Sequence, residues 1–476
     1  MTVDRRGVLR GLGIASAHGL WFAFGCGGPA RPPRHAGDDL SSDVRTWLRE
    51  AVALIHGAGV TGHALAVSRK HTAAALDVLG AGVAHQRCDG VVLTARDGRG
   101  RREQVTSDLT RDGVLDAARA LVGNTTPASL DFGPLPARPA TPRPDPDAIT
   151  DAMLIEGLAK LAKRDSGLSS RIVYASGLVE IDDARVWSVA ANSDREQRLV
   201  RVRRGVTRVA WNGTRPIVSE VTRAWSGGLE DQTLNDDELA HARDTALALM
   251  TPGAFSDGEH ALVLAPELVA SIADIAARTL YTARAQRRPE VAQRLVTGVT
   301  IAAPTFSLTD DATAATAYGG FHFDDEGTAA TAKPIIDRGV LVDRISHARR
   351  PGHTGPLELT SAHLRVGAGT ASELALDDGY LLEGNRGVRI DPASDRIVVA
   401  VQRALEVSHG QRTGRAYADV ELVGSLGKLL GDCGEATSAT RTIGIRDELD
   451  GLPRWRSVEA PWLRAKGLVR ARRRLA

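Results

Sequence analysis

The segment YGGFHFDDEGTAATAKPIIDRGVLVDRI, Tyr318 to Ile345, carries the most distinctive run of charge in the chain. Asp324, Asp325 and Glu326 stand side by side, with apolar residues before them and Gly327 after them. Adjacent carboxylates repel one another, and a protein core accepts them only beside a counter-charge or a metal ion. Because strand-like runs flank the acids, the pattern predicts a tight polar turn between two strands.

This acidic turn has three alternative uses. As a structural element, it would accept backbone N–H groups and pair with Lys333 or Arg338. As a binding element, Phe323 and the acids that follow would line a peptide groove. A direct role in acid–base chemistry is the third alternative.

The composition describes an ordinary folded protein with several domains. The chain has 476 residues, of which 43% are hydrophobic and 25% are charged, so about two or three domains are expected. A net charge of only +2 and 4% aromatic residues argue against a nucleic-acid-binding surface. The cysteines, Cys26, Cys88 and Cys433, form no Cys-x-x-Cys pair, so the sequence contains neither a zinc ribbon nor a dithiol redox motif.

Residues 1–28 have the layout of a twin-arginine export signal. Arg5 and Arg6 precede an uncharged stretch that ends at Gly25 and is too short and glycine-rich for a membrane-spanning helix. Cys26 stands where a lipoprotein signal has its lipidated cysteine, although the phenylalanine two residues earlier fits that site poorly. The sequence predicts export to the periplasm or cell envelope and leaves lipidation open. The alternative is an irregular basic N-terminal segment, without a targeting role, on a cytoplasmic protein.

Composition and hydrophobic spacing divide the chain into regions of an α+β protein. They predict an N-terminal α/β domain at 40–126, a proline-rich linker or surface strap at 127–148, a central mixed α/β region at 149–257 and a β-rich C-terminal domain at 258–476. Apolar residues at three- and four-residue spacing predict helices at Ser41–Gly57, Asp112–Val122, Ile149–Arg164, Leu234–Met250 and Pro266–Leu280.

Two further groups of polar residues invite a functional interpretation. Arginines at 198, 201, 203, 204 and 208 partly alternate with apolar residues, which is typical of a strand with one face in solvent, and a polyanion groove is the alternative. Histidines at 322, 347, 353 and 363 have irregular spacing, which favours surface or hydrogen-bonded histidines over a metal site.

The acidic segment resembles the signature of the TldD/TldE (PmbA, "modulator of DNA gyrase") metallopeptidase family. In that signature a Phe-Asp-Asp-Glu-Gly element precedes x-x-x-K-x-x-x-I-x-x-G-x-L. The matching positions here are Phe323 to Gly327, Lys333, Ile336, Gly339 and Leu341. VLAPELVASIADIA, residues 263–276, resembles the strand–Pro–helix entry into the same domain, and Cys433 in GDCGEATSATRTIGI resembles the family's late Cys-Gly element. The resemblance covers roughly residues 40–470 and is specific from about Ala261 to Cys433.

The resemblance implies two kinds of subunit, of which one is a zinc peptidase. Its ligands are two histidines of a His-Glu-x-x-x-His helix and the late cysteine. It cleaves unfolded or precursor peptides in a cavity that it forms with a non-catalytic partner. This chain contains no His-Glu-x-x-x-His motif, and the corresponding positions fall near Asp274, Ile275 and Thr279.

This departure predicts a TldE-like chain with no zinc and no catalytic residue of its own. Zinc hydrolysis needs about three protein ligands, an open coordination position and a base for the water. Asp274 offers one oxygen, whereas Ile275 is no base, Thr279 is a poor ligand and Cys433 alone would not hold the ion. We expect a subunit that completes the peptide chamber of a zinc-bearing TldD-like paralogue. The alternatives are a zinc peptidase with atypical ligands and a stand-alone exported peptide-binding or scaffold protein.

Overall fold

Two β-sheets with helices packed on them form the computed structural model, which describes residues 41–77, 80–98, 100–133, 145–164, 171–229, 233–345, 361–449 and 452–472. The first sheet has six strands and the second has ten. This architecture confirms the predicted α+β class, with an N-terminal and a C-terminal domain.

The first half of the chain builds the six-stranded sheet and its helices. In chain order these elements are α1 (Ser41–Gly57), β1 (Thr61–Asp77), β2 (Gly80–Asp97), β3 (Gly100–Thr106), α2 (Arg111–Val122), α3 (Asp151–Arg164), β4 (Ile172–Ala190), β5 (Ser193–Trp211), β6 (Pro216–Ser226) and α4 (Asp236–Ala248). The four helices lie within two residues of their predicted bounds, because their apolar spacing fixes one buried face. In α1, Val44, Leu48, Val52 and Ile55 are fully buried.

The six strands join two regions that the sequence treats as separate domains. Their order is β3-β2-β1-β4-β5-β6, and every neighbouring pair is antiparallel. β1 pairs with β2 from the predicted N-terminal domain and with β4 from the predicted central region. The boundary predicted at 127–148 therefore does not separate two sheets. The proline-rich sequence conceals this, because strand pairing across it leaves no local signal.

The described parts of the proline-rich segment lie against the first domain as a strap. Ala128 donates its N–H to Ala53 O at 2.9 Å, and Asn192 donates its N–H to Asp131 O at 2.7 Å. Further along, Asp145 accepts a hydrogen bond from Arg198 Nη2 at 2.9 Å. The segment thus belongs to the packed surface of the first sheet.

The second half of the chain builds the C-terminal domain. Its elements are β7 (Gly258–Leu264), α5 (Pro266–Thr279), α6 (Pro289–Arg294), β8 (Leu308–Asp311), β9 (Ala332–Asp337), β10 (Val340–Leu341), β11 (His363–Val366), β12 (Gly379–Asp391), β13 (Arg396–Ser408), β14 (Gln411–Ser425), α7 (Leu426–Gly431), β15 (Ala436–Leu449) and β16 (Leu452–Ala471). The strand order is β10-β9-β8-β11-β16-β14-β13-β12-β7, with β15 paired to β16. A further β16–β7 pairing closes a ring of strands around the apolar core beneath α5. Among the described residues, no helix is long and apolar enough to cross a membrane.

Candidate functional site

The acidic signature folds as the predicted tight turn between Phe323 and Ala329, which form an isolated antiparallel bridge. Asp324 holds the turn closed, since its Oδ1 accepts the N–H groups of Glu326 at 2.9 Å and Thr328 at 2.8 Å. Gly327 has a φ of +72°, a left-handed conformation that favours glycine. The first of the three acids is therefore a structural residue.

Glu326 joins this turn to the first sheet. Its Oε1 lies 3.2 Å from Arg96 Nη2 and 3.1 Å from Arg101 Nη1. The prediction that the acids pair with Lys333 or Arg338 is wrong. Lys333 pairs with Asp343, and Arg338 with its neighbour in sequence, Asp337. Through Arg96 and Arg101 the turn contacts strands β2 and β3.

Gln197 on β5 clamps the start of the same turn. Its amide donates to Phe323 O at 2.9 Å, and its side-chain oxygen accepts the N–H of His322 at 2.8 Å. A Cβ added at Gly327 would lie 2.5 Å from Ser188 Oγ on β4, so the turn sits tightly on the first sheet. The signature therefore fastens the two domains together.

Asp325, the middle acid of the three, keeps an exposed surface although protein atoms crowd it. Partial loss of water around the carboxyl raises its pKa, the neighbouring Asp324 adds to the rise, and Arg69 and Arg201 oppose it. The guanidinium carbons of those arginines lie 4.2 Å and 4.9 Å from the ring centre of Trp455 on β16. Asp325 is thus set beside two arginines that both stack on one indole.

A buried layer of charge extends from these arginines between the two domains. Glu180 on β4 lies 2.9 Å from Arg203 on β5 and 3.1 Å from Arg446 on β15. Asp182 is 2% exposed, and its nearest cations are Arg69 Nε at 3.6 Å and Arg201 Nη1 at 3.8 Å. Burial raises the pKa of Asp182 to about 6, whereas Arg69 and Arg201 oppose that rise. The layer includes a carboxylate that is poorly compensated.

The prediction that the arginines of β5 form a solvent-facing side of the strand is wrong. Arg201 and Arg208 are 6% and 3% exposed, so this is not a strand face in solvent. Arg201 donates Nε–H to Tyr318 O at 2.8 Å, and the C-terminal domain covers it. A sequence signal for the buried layer does exist, because Glu180 and Asp182 alternate on β4 and lie opposite Arg203 and Arg201 in register.

The helix that should carry the metal motif carries a buried ion pair instead. Asp274 on α5 is 3% exposed and pairs with Arg456 on β16, whose side chain is 2% exposed. Asp274 Oδ2 also lies 3.1 Å from Arg278 Nη2, and Arg456 Nη2 lies 2.7 Å from Asp447 Oδ2. The expectation that Asp274 offers an oxygen for zinc is not supported by this geometry, because a guanidinium already occupies it.

The other residues of the motif positions do not gather around Asp274. Ile275 is partly buried, and Thr279 Oγ1 donates to Ile275 O at 2.7 Å within the helix. Cys433 lies against Ile272, Ala273 and Ala276 in an apolar cavity, on roughly the opposite side of α5 from Asp274 at about 3.6 residues per turn. Burial raises the pKa of the Cys433 thiol to about 12. Among the described residues, no group of three or more His, Cys, Asp or Glu could hold a metal ion.

Several predicted residues have ordinary roles or lie elsewhere. His363 Nδ1 is 2.9 Å from Ser457 Oγ, in a buried hydrogen-bonded pair, and burial lowers the pKa of this histidine. His322 is exposed. Arg5, Arg6 and Cys26, together with the histidines at 347 and 353, lie outside the described residues.

Comparison with known proteins places this geometry in context. Residues 257–471 match the model of the PmbA/TldA metallopeptidase C-terminal domain. A metalloprotease of Methanocaldococcus jannaschii is 22% identical over 221 residues, which cover 42% of this chain and 49% of that protein. The chain thus matches about half the length of this curated relative.

Solved structures share the fold of both domains. A modulator of a DNA gyrase from Thermotoga maritima superposes with a TM-score of 0.73 and 14% identity, covering 89% of this chain and 99% of that one. A modulator of DNA gyrase from Bacteroides thetaiotaomicron gives a TM-score of 0.70 and 15% identity over 91% of this chain and 100% of that one. TldE from Thermococcus kodakarensis gives 0.65 and 13% identity over 86% and 96% of the two chains. At these identities the likeness concerns the fold.

Proposed function

Because the chain belongs to the TldD/TldE family, we propose that it is a non-catalytic subunit of a TldD/TldE-type peptidase. The observation that carries this proposal is the Asp274–Arg456 pair on the helix where the family's resemblance implies zinc ligands. An arginine guanidinium is permanently protonated, so it supplies the positive charge that a buried carboxylate requires. The chain thereby keeps the architecture of the helix without a metal ion.

The residues near this pair do not support zinc hydrolysis. A catalytic zinc site needs about three ligands and a base for the bound water. Ile275 has no proton acceptor, and the Thr279 hydroxyl is used within the helix. Cys433 lies in an apolar cavity on roughly the opposite side of α5 from Asp274, so the two side chains do not converge on one point. These features favour a chain without hydrolytic chemistry of its own.

The proposed role is to complete the peptide chamber of a zinc-bearing TldD-like paralogue. The signature turn and the buried charge layer support it, because they fix the orientation of the two domains that would form one wall. Unfolded or precursor peptides would bind in that chamber as extended strands, since main-chain hydrogen bonds make few demands on sequence. Zinc would reside in the partner, and this chain would bring no cofactor.

Purification alone and with the partner tests this proposal. The chain by itself is expected to contain no stoichiometric zinc by elemental analysis and to leave a casein substrate uncleaved. Co-expression with a His-Glu-x-x-x-His paralogue should give one peak in size-exclusion chromatography, with peptidase activity in that peak alone. Replacing the partner's zinc ligands should abolish the activity. One zinc per isolated chain, lost in Asp274→Ala or Cys433→Ser, would instead support a zinc peptidase with atypical ligands.

The partner could also be active without this chain, and that outcome would contradict the chamber role. If the paralogue cleaves peptides alone and the two proteins elute separately, a stand-alone binding or scaffold role replaces it. A stable complex should bury more than about 1,000 Å². Chemical cross-linking of the mixed peak would locate that surface.

We further propose export through the twin-arginine route. Arg5 and Arg6 carry this proposal. Replacing both by lysine should leave a precursor in the cytoplasm, whereas the wild-type chain should reach the periplasm or cell envelope. Incorporation of a labelled fatty acid that disappears in Cys26→Ser would establish lipidation. Full-length wild-type protein in the cytoplasm would contradict the export proposal.

A further inference from the structure

A cavity of about 260 Å³ lies where the first sheet meets the C-terminal domain, away from the signature turn. One wall is β6, the last strand of the first sheet, and a second wall is α4. The start of α5 and parts of β12, β13 and β15 complete it. Sites for drug-sized ligands have volumes of about 300–1,000 Å³, so this cavity suits a smaller molecule.

The wall formed by β6 presents backbone hydrogen-bonding groups to the cavity. Among the described strands, β6 is an edge strand whose single neighbour is β5. Val218 O accepts from Arg386 Nη2 at 2.6 Å and from Gln402 Nε2 at 2.9 Å, so the backbone groups of Val218 point away from β5. Backbone direction alternates along an antiparallel strand, so Glu220 and Thr222 also point outwards. In the described part of the chain, no backbone group bonds to these two residues from that side.

Most charges around the cavity already have an opposite partner within the protein. The pairs are Glu383 with Arg403, Glu220 with Arg203, and Arg441 with Glu238. Glu267 and Arg386 differ, since neither has an oppositely charged side chain within 4 Å among the described residues. Within the described structure, the Glu267 carboxylate accepts the N–H of Gly384 at 2.9 Å, and Arg386 donates to the backbone carbonyl of Val218. The cavity thus offers one carboxylate and one exposed guanidinium without a direct ion-pair partner among the described residues, although Asp419 and Glu220 act on Arg386 from a longer distance.

Two polar residues of α4, Thr245 and His241, line the same space. Thr245 is 3% exposed, and its Oγ1 is buried without a hydrogen-bond partner in the described structure. His241 Nδ1 lies 3.4 Å from Arg403 Nη2, which can only donate. Burial lowers the pKa of His241, so the ring is neutral and carries its proton on Nε2.

We propose that this cavity binds a short zwitterionic peptide, with its ammonium group at Glu267, its carboxylate at Arg386 and its amide groups along the edge of β6. A peptide fits because it combines opposite terminal charges with amides spaced like those of a strand. Its length is limited by the volume to about two or three small residues. The choice of a peptide rests on the proposed function, whereas the charge pair and the strand edge belong to this chain alone.

Calorimetric titration of the purified full chain with Ala-Ala and Ala-Ala-Ala tests the proposal. At least one of the unblocked peptides should bind, and N-acetylation or C-terminal amidation should each weaken binding by about tenfold or more, because each removes one terminal charge. N-methylation of the peptide amide that faces β6 should also weaken binding. Equal affinity for blocked and unblocked peptides, or no binding of either unblocked peptide, would overturn it.

Matched variants assign the two termini. Glu267→Gln should weaken binding of the unblocked peptide about tenfold and leave binding of the N-acetylated peptide unchanged. Arg386→Gln should weaken binding of the unblocked peptide about tenfold and leave binding of the C-terminally amidated peptide unchanged. Glu290→Gln and Arg389→Gln are the controls. Glu290 follows a proline at the start of α6 as Glu267 does in α5, and Arg389 is exposed on the strand that carries Arg386. Glutamine at 267 keeps an oxygen for Gly384, so the fold should persist.

The result is distinguishable from failure of the proposed function. Binding by the isolated chain needs no partner and no zinc, so a missing hetero-oligomer would leave it intact. Conversely, an active complex in which Glu267→Gln and Arg386→Gln bind the peptides normally would refute only the assignment of this cavity.

Discussion

Replacing Arg456 by methionine should destabilise the C-terminal domain by about 3 kcal/mol. Removing one member of a buried ion pair costs about 3–5 kcal/mol, because the remaining charge stays buried without compensation. Asp274 would keep Arg278 at 3.1 Å, a partner that is itself 28% exposed, which places the loss near the lower end of that range. For a domain of this size the melting temperature should fall by about 6–12 °C.

A second variant separates charge compensation from packing. Asp274→Leu combined with Arg456→Met removes both charges, and such replacements are often neutral or stabilising. The double variant should therefore melt within about 4 °C of the wild type. Arg365→Met serves as a control, because Arg365 is 53% exposed and pairs with Asp311 at 3.2 Å. An exposed pair contributes about 0–1 kcal/mol.

Differential scanning calorimetry with and without added zinc is the measurement. A loss below about 1 kcal/mol in Arg456→Met, or a double variant as unstable as the single one, would refute the reasoning about the buried pair. Zinc should not stabilise Arg456→Met. If it does, Asp274 is a metal ligand that the guanidinium displaces, and the non-catalytic proposal fails.

Three further outcomes follow from the same structure. Asp182→Asn should be more stable than the wild type by at most about 3 kcal/mol above pH 6. The pKa of Asp182 is about 6 in the folded protein against an ordinary 3.8, so the free energy of unfolding of the wild type falls as the pH rises from about 4 to 6. Thermal unfolding curves of the two proteins should therefore converge near pH 4. Gly327→Ala should lower the melting temperature more than Gly410→Ala, since both have a φ above +70° but only Gly327 has an atom within 2.5 Å of the added Cβ, and equal effects would contradict this contact. Under native conditions Cys433 should resist alkylation near pH 8 while the exposed Cys88 reacts, as peptide mass spectrometry would detect, and rapid labelling of Cys433 would contradict its burial.

The local elements of this fold follow closely from the sequence. The helix at Ser41–Gly57 has its predicted bounds, and α5 begins at the predicted Pro266. Both depend on apolar spacing and on residues at helix ends, which are properties of neighbouring residues. The turn around Gly327 was equally predictable, because an Asp side chain shortly before a glycine accepts hydrogen bonds from the backbone N–H groups of the turn. The absence of the His-Glu-x-x-x-His motif is also a fact of the sequence alone.

The partners of the charged residues depend on the tertiary structure. Glu326 contacts Arg101, which is 225 residues away, and Asp274 contacts Arg456, which is 182 residues away. No spacing rule connects such positions, so the sequence suggested the nearby Lys333 and Arg338 as partners. In the structure these two residues pair with Asp343 and Asp337. The same limit explains Arg201, whose alternation with apolar residues looks like a solvent-facing strand. A period of two identifies the two faces of a strand, but only the packing of one domain on another decides whether the polar face meets water or a second layer of protein.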